Sequence, residues 1–114
     1  MPSQLQLQLQ AEWERRSIEV QGAAAQAFTR LLVLAETHDT GQAQRVARLL
    51  ASTYDGQTFP FDPFELRAVD VAISDDMLIC LDALRWGRAD LYKLVPDGGK
   101  RVEAVCERLG LKWP

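Results

Sequence analysis

The sequence predicts an all-α protein, a single compact domain of five or six helices. Two observations lead there: apolar residues recur at helical spacing along most of the chain, and helix-start residues and glycine stops punctuate those runs. Residues 1–21 read as an N-terminal helical arm, frayed at its start, and residues 22–114 as the helical domain. In the arm Leu5, Leu7 and Leu9 alternate with glutamines, formally a strand period, yet Leu and Gln are good helix formers and Ala11–Arg16 continues in the same style. On a helix Leu5, Leu9 and Trp13 stack at i, i+4 and i+8, and Gly22 is the expected stop.

From Ala23 to Thr37 the chain is apolar around most of its circumference, which places that helix in the middle of the core. His38-Asp39-Thr40-Gly41 breaks it. Asp39 with Gln42 three residues on fits a capping box for a helix over Gly41–Tyr54, which turns Ala43, Val46, Ala47, Leu49 and Leu50 inward. After a turn-rich link, Asp62 as N-cap, Pro63 in the first helical position and Glu65 in the third open another helix. Run through to Trp86 it has 24 residues, long for this domain, so a break is expected around Asp70–Ser74 with a second start near Ser74. Gly87 stops that segment, and Arg88–Val95 reads as a short helix or irregular turn. Pro96–Gly99 is a loop. The last helix, Lys100–Leu109, buries Val102, Val105, Cys106 and Leu109, and Gly110 caps its C-terminus.

Residue counts exclude much chemistry. His38 is the only histidine, so sites that need two or three imidazoles cannot be built from one chain. Cys80 and Cys106 have no C-x-x-C arrangement and fall in apolar helical patterns, which reads as buried thiols; a disulfide between them needs an oxidising compartment. No P-loop spacing surrounds Gly98-Gly99-Lys100, and no G-x-S-x-G occurs. With no basic-then-apolar leader at residues 1–21 and no long apolar run, the expected location is the cytoplasm, with no membrane partner. The expectation is a protein with no catalytic residues, no cofactor and no metal.

Charge is uneven. Residues 1–54 balance at zero, residues 55–82 carry −6 and residues 83–114 carry +3. One reading has the acidic middle and the basic C-terminal end offsetting each other. The other is an acidic face, centred on Asp70, Asp75 and Asp82, that docks a basic partner. The acidity argues against nucleic acid as a partner, and a helix–turn–helix reading of Gln42–Asp70 fails because the would-be recognition helix opens Asp62-Pro63-Phe64-Glu65. Asp76 stands apart. It projects between Val69, Cys80 and Ala83 on the apolar side, either as a cap of backbone N–H groups or as a buried carboxylate paired with an arginine or serving proton transfer.

Asp39-Thr40-Gly41-Gln42, Arg45-Val46-Ala47, Leu49-Leu50, Val69-Asp70, Ile73 and Asp75-Asp76-Met77-Leu78 together resemble a family of small uncharacterised proteins. The resemblance covers residues 27–86, and the closing Trp113-Pro114 is also similar. The chain departs from the family's pattern after Gly56, where Gln57-Thr58-Phe59-Pro60 replaces a glycine-rich turn. Members occur mainly in proteobacteria, often on plasmids and integrative elements. The resemblance implies an accessory protein of mobile DNA and carries no catalytic residues.

The expected function is a non-enzymatic protein–protein interaction module, accessory or inhibitory, that contacts an unknown protein through the acidic face or through Leu5, Leu9 and Trp13. Tryptophan's enrichment at binding hot spots favours that stripe. A short chain with an apolar-striped arm gains by pairing, which adds a homodimer to the expected partners. The alternative is a small dimeric transcriptional or partitioning regulator that grips DNA through Arg85, Arg88, Lys93, Lys100, Arg101 and Arg108.

Overall fold

The computed structural model describes residues 1–113. They form four α-helices, α1 (Gln4–Thr37), α2 (Gly41–Tyr54), α3 (Val71–Trp86) and α4 (Gly98–Leu109), with 3-10 turns at Pro63–Arg67 and Leu91–Leu94. The expected five or six helices are therefore four, and three local outcomes account for the difference.

First, Gly22 does not stop α1. Glycine in a helix costs about 1 kcal/mol relative to alanine, and this is outweighed because Val20, Ala24 and Ala27 on either side pack into the core. Nor is the start of α1 open. Ser3 Oγ accepts from Gln6 N (3.1 Å) and Gln6 Oε1 accepts from Ser3 N (2.7 Å), a capping box that Ser-x-x-Gln spells out. Second, the helix expected to open at Asp62 is a five-residue 3-10 turn. Asp62 does cap it, accepting from Phe64 N (2.9 Å), but the chain breaks at residues 68–70 and α3 begins at Val71, three residues before Ser74. Third, the uncertain stretch after Gly87 resolves to the Leu91–Leu94 turn.

Two cap assignments also change. Thr40, not Asp39, caps α2, its Oγ1 accepting from Ala43 N. Gln42 is thereby released to reach α3: it accepts from Asp70 N (2.7 Å) and its amide donates to Asp70 Oδ2 (3.2 Å). Helix α4 starts at Gly98 rather than Lys100, following Asp97 in the left-handed conformation. Gly87 and Gly110 end α3 and α4 with left-handed backbone, as their glycine type favours.

Helix α1 runs along α3 on one side and meets α2 and α4 on another, while α2 packs on α4. Phe28, Leu31 and Leu32 of α1, Val46, Leu49 and Leu50 of α2, Met77 of α3, and Val102 and Val105 of α4 fill the core with Leu91 of the second turn. Ala24, Ala27 and Ala35 are fully buried, which lets neighbouring helices approach closely. Both cysteines are free and buried. Burial, reinforced by Asp76, pushes the Cys80 thiol up to about 12, and burial pushes Cys106 up to about 11, so both stay protonated.

The molecule is elongated. Its extents are 54 × 28 × 23 Å and its radius of gyration is 15.8 Å, against about 13 Å for a compact chain of this length. The long axis is α1 itself, 34 residues at about 1.5 Å each.

Candidate functional site

Ser17 is the first buried residue of α1, and residues 1–16 are exposed throughout. Leu9, Trp13, Val20, Ala24, Ala27 and Leu31 fall within roughly 60° of one another around the helix axis. The stripe that faces the core in the second half of α1 thus continues past the edge of the domain. There Leu5 is 64%, Leu9 43% and Trp13 59% exposed. The base of this arm is tied to the end of α3: Arg88 Nε donates to Ser17 Oγ (2.8 Å), its guanidinium also pairs with Glu14, and the Arg16 guanidinium lies 5.3 Å from the Trp86 ring centroid.

The three aspartates expected on an acidic face are placed differently from one another. Asp70 is engaged by Gln42, and Asp82 accepts from Arg85 Nε at 2.6 Å on its own helix. Asp75 is exposed. Val71 and Leu78, one heptad apart on the same side of α3, are 75% and 52% exposed. The face is therefore mixed, acidic residues flanking two apolar ones that the charge reading alone does not reveal.

Asp76 is not a cap. It is the sixth residue of α3, and both its oxygens accept from Arg30 of α1. Its side chain is 16% exposed, whereas that of Arg30 is 55% exposed. Of the readings open from sequence, the geometry is that of a carboxylate paired with an arginine.

Most of the basic residues that would form a DNA-gripping end are already engaged within the chain. Arg85 pairs with Asp82, Arg88 with Glu14 and Lys93 with Asp90. Arg101 makes a two-pronged pair with Glu36 at 2.9 and 2.7 Å. Arg108 donates to the carbonyls of Ala35 and His38, satisfying the C-terminal end of α1. On the acidic side Glu65 is gripped by Arg45 and Arg48, each at 3.2 Å. Three of the seven carboxylates of residues 55–82, those of Glu65, Asp76 and Asp82, are thus paired with arginines.

The structure also assembles a cleft of 880 Å³ where the C-terminal end of α2, the second 3-10 turn, α4 and the closing tail meet. Tyr54, Tyr92 and Trp113 line it together with Asp55, Glu103 and Glu107. Sequence reasoning assigns no role to the two tyrosines. They lie 38 positions apart in sequence, and no local motif joins them. Among the described residues no group of three or more His, Cys, Asp or Glu side chains is arranged to hold a metal ion.

A family of unknown function, DUF7673, matches residues 25–110. The chain belongs to this family. The DUF7673 region takes in Asp70, Asp75, Asp76 and Asp82 together with Tyr54, Tyr92, Glu103 and Glu107 of the cleft, while Leu5, Leu9, Trp13 and the closing Trp113 lie outside it. No curated protein and no solved structure matches the chain. Pro114 of the closing Trp-Pro pair lies outside the described residues. No helix among the described residues is long and apolar enough to cross a membrane.

Proposed function

We propose that this DUF7673 protein is a non-enzymatic, cytoplasmic helical module that docks another protein through the projecting end of α1. The observation that carries this reading is the continuity of the α1 stripe. Leu9 and Trp13 extend the line of residues that α1 uses to pack its own core, and they remain exposed. Apolar side chains aligned on a rigid helix beyond the last packed turn form the i, i+4, i+8 array by which a helix fits a groove or a second helix. Trp13, the i+8 member, supplies a large contact area, with few rotamers to freeze. The internal pairing of the basic residues supports a protein over a nucleic acid as partner, and the resemblance to proteins of plasmids and integrative elements supports an accessory or inhibitory role there.

The test is capture from a nuclease-treated lysate of the natural host, with wild type compared to a Leu5→Gln/Leu9→Gln/Trp13→Gln variant, alongside the solution mass of each purified protein. The expected result is a stoichiometric protein, or a second copy of the chain, held by wild type and lost by the variant while helicity is unchanged. Capture of nucleic acid alone, or equal capture of protein by the variant, overturns the reading.

A further inference from the structure

We propose that the cleft between α2, α4 and the closing tail binds an organic ammonium group, a reading independent of the docking arm. The walls are aromatic and set at right angles. Tyr54 and Tyr92 meet edge to face with centroids 4.9 Å apart, and the Trp113 ring stands at 87° to Tyr54 at 6.1 Å. Phe59 backs Trp113 at 4.7 Å, again nearly perpendicular. Tyr54, Tyr92 and Trp113 all line the cleft, and the π-face of an aromatic ring attracts a cation through its quadrupole. Lys93 Nζ, which pairs with Asp90, also lies 5.8 Å from the Tyr92 centroid, and Lys93 does not line the cleft.

The polar groups around the rings are carboxylates, and the rings hold two of them in place. Tyr54 donates its hydroxyl to Glu103 Oε1 at 2.6 Å, and Trp113 Nε1 donates to Asp55 Oδ2 at 3.1 Å. The donors of both aromatic side chains are thus used within the chain, while each carboxylate keeps lone pairs for a ligand. With Glu107 and the single basic side chain Lys112, the lining sums to −2. Hydrogen bonds from Thr58 and from Trp113 hold the Asp55 carboxyl below its usual range, so it is ionised at neutral pH. The bond to Glu103 raises the Tyr54 phenol, which stays neutral. An anion is repelled and a neutral solute gains only the ring contacts, whereas an ammonium group gains both aromatic and carboxylate contacts.

The site is also prearranged. A Cβ on Gly98 would overlap the Tyr92 carbonyl, and one on Gly99 would sit 3.4 Å from the Tyr92 ring and 3.7 Å from that of Tyr54. The first turn of α4 therefore lies against the Tyr92 backbone, an approach that only glycine permits at position 98, while a Cβ at position 99 would make ordinary contact with both tyrosine rings. A volume of 880 Å³ suits a small organic ligand or a side chain with its flanking backbone.

The experiment is calorimetric titration of the full-length protein with choline, with its neutral isostere 3,3-dimethylbutan-1-ol, and with short peptides centred on lysine or trimethyllysine. Choline or a peptide is expected to bind and the neutral isostere not. Stronger binding of choline identifies a free ammonium ligand, and stronger binding of a peptide identifies a lysine side chain. Glu107→Gln is expected to weaken binding and Lys112→Gln to strengthen it, opposite signs that a general loss of folding does not produce, while Tyr92→Leu is expected to weaken it by about tenfold. The proposal is overturned by equal binding of choline and its isostere, by no binding of either cation class up to roughly 10 mM, or by both charge variants shifting affinity in the same direction.

Discussion

Arg30 and Asp76, 46 positions apart, face each other across the α1–α3 contact as a two-pronged pair, Nε to Oδ2 at 3.0 Å and Nη2 to Oδ1 at 2.8 Å. Asp76 would otherwise sit against Cys80 on the inner side of α3, where an unpaired carboxylate is unfavourable. The pair therefore adds a charged contact to the apolar packing of α3 along α1. It also raises the Arg30 pKa through the hydrogen bond and charge of Asp76, so Arg30 stays protonated.

Replacing either partner should lower stability, with Asp76 the more sensitive to the loss of Arg30 because it is the less exposed of the two. We expect Arg30→Ala and Asp76→Ala each to lower the urea midpoint. The double variant should lose less than the two effects combined, since the second substitution removes a group already left unpaired. Simple additivity across the cycle would show that the contact is incidental.

Two glycines offer a paired test of the fold. Gly22 lies inside α1 with no other segment or side chain within 4 Å of where a Cβ would stand, so Gly22→Ala should stabilise by up to about 1 kcal/mol through helix propensity. Gly98→Ala must displace the Tyr92 backbone and should destabilise by about 1–3 kcal/mol. Chemical denaturation of both variants checks this. Destabilisation by Gly22→Ala would mean that α1 breaks there after all.

The Arg101–Glu36 pair sets a pH dependence. The hydrogen bond from Arg101 holds the Glu36 carboxyl below its usual range, with Arg101 and Arg108 adding their charge. A lowered folded-state pKa means that the unfolded chain takes up the proton first. The stabilisation is complete above the ordinary carboxylate pKa of 4.5 and is lost as pH falls through the lower folded-state value. Glu36→Gln should cost about 0.5–1 kcal/mol at pH 7 for this partly exposed pair, and the difference from wild type should shrink towards pH 3. A difference that stays constant from pH 7 to pH 3 would remove the charge of Glu36 from the explanation.

Much of the fold is legible in local sequence because its causes are local. The amphipathic spacing of Val46, Ala47, Leu49 and Leu50 fixes the inner face of α2, the pattern of Val102, Val105 and Cys106 does so for α4, and Gly87 and Gly110 end their helices through left-handed backbone that glycine adopts without strain. The burial of both cysteines follows from the same periodicity. The Ser3–Gln6 capping box is equally local; it is spelled in the sequence and masked only by the Leu-Gln alternation beside it.

What the tertiary structure decided are the outcomes that depend on partners distant in the chain. Gly22 stays helical because Val20, Ala24 and Ala27 find a core to pack against. Gln42, released by the Thr40 cap, finds Asp70 only because the start of α3 comes within its reach, and Asp76 becomes an ion-pair member because α3 brings it to Arg30. The cleft is the extreme case, since Tyr54, Tyr92 and Trp113 belong to three separate segments and line one cleft only once α2, the second 3-10 turn and the tail converge. Helical periodicity determines which face of each element is apolar. It carries no information about which two faces meet, because that choice is made by packing and charge pairing between segments the sequence keeps apart.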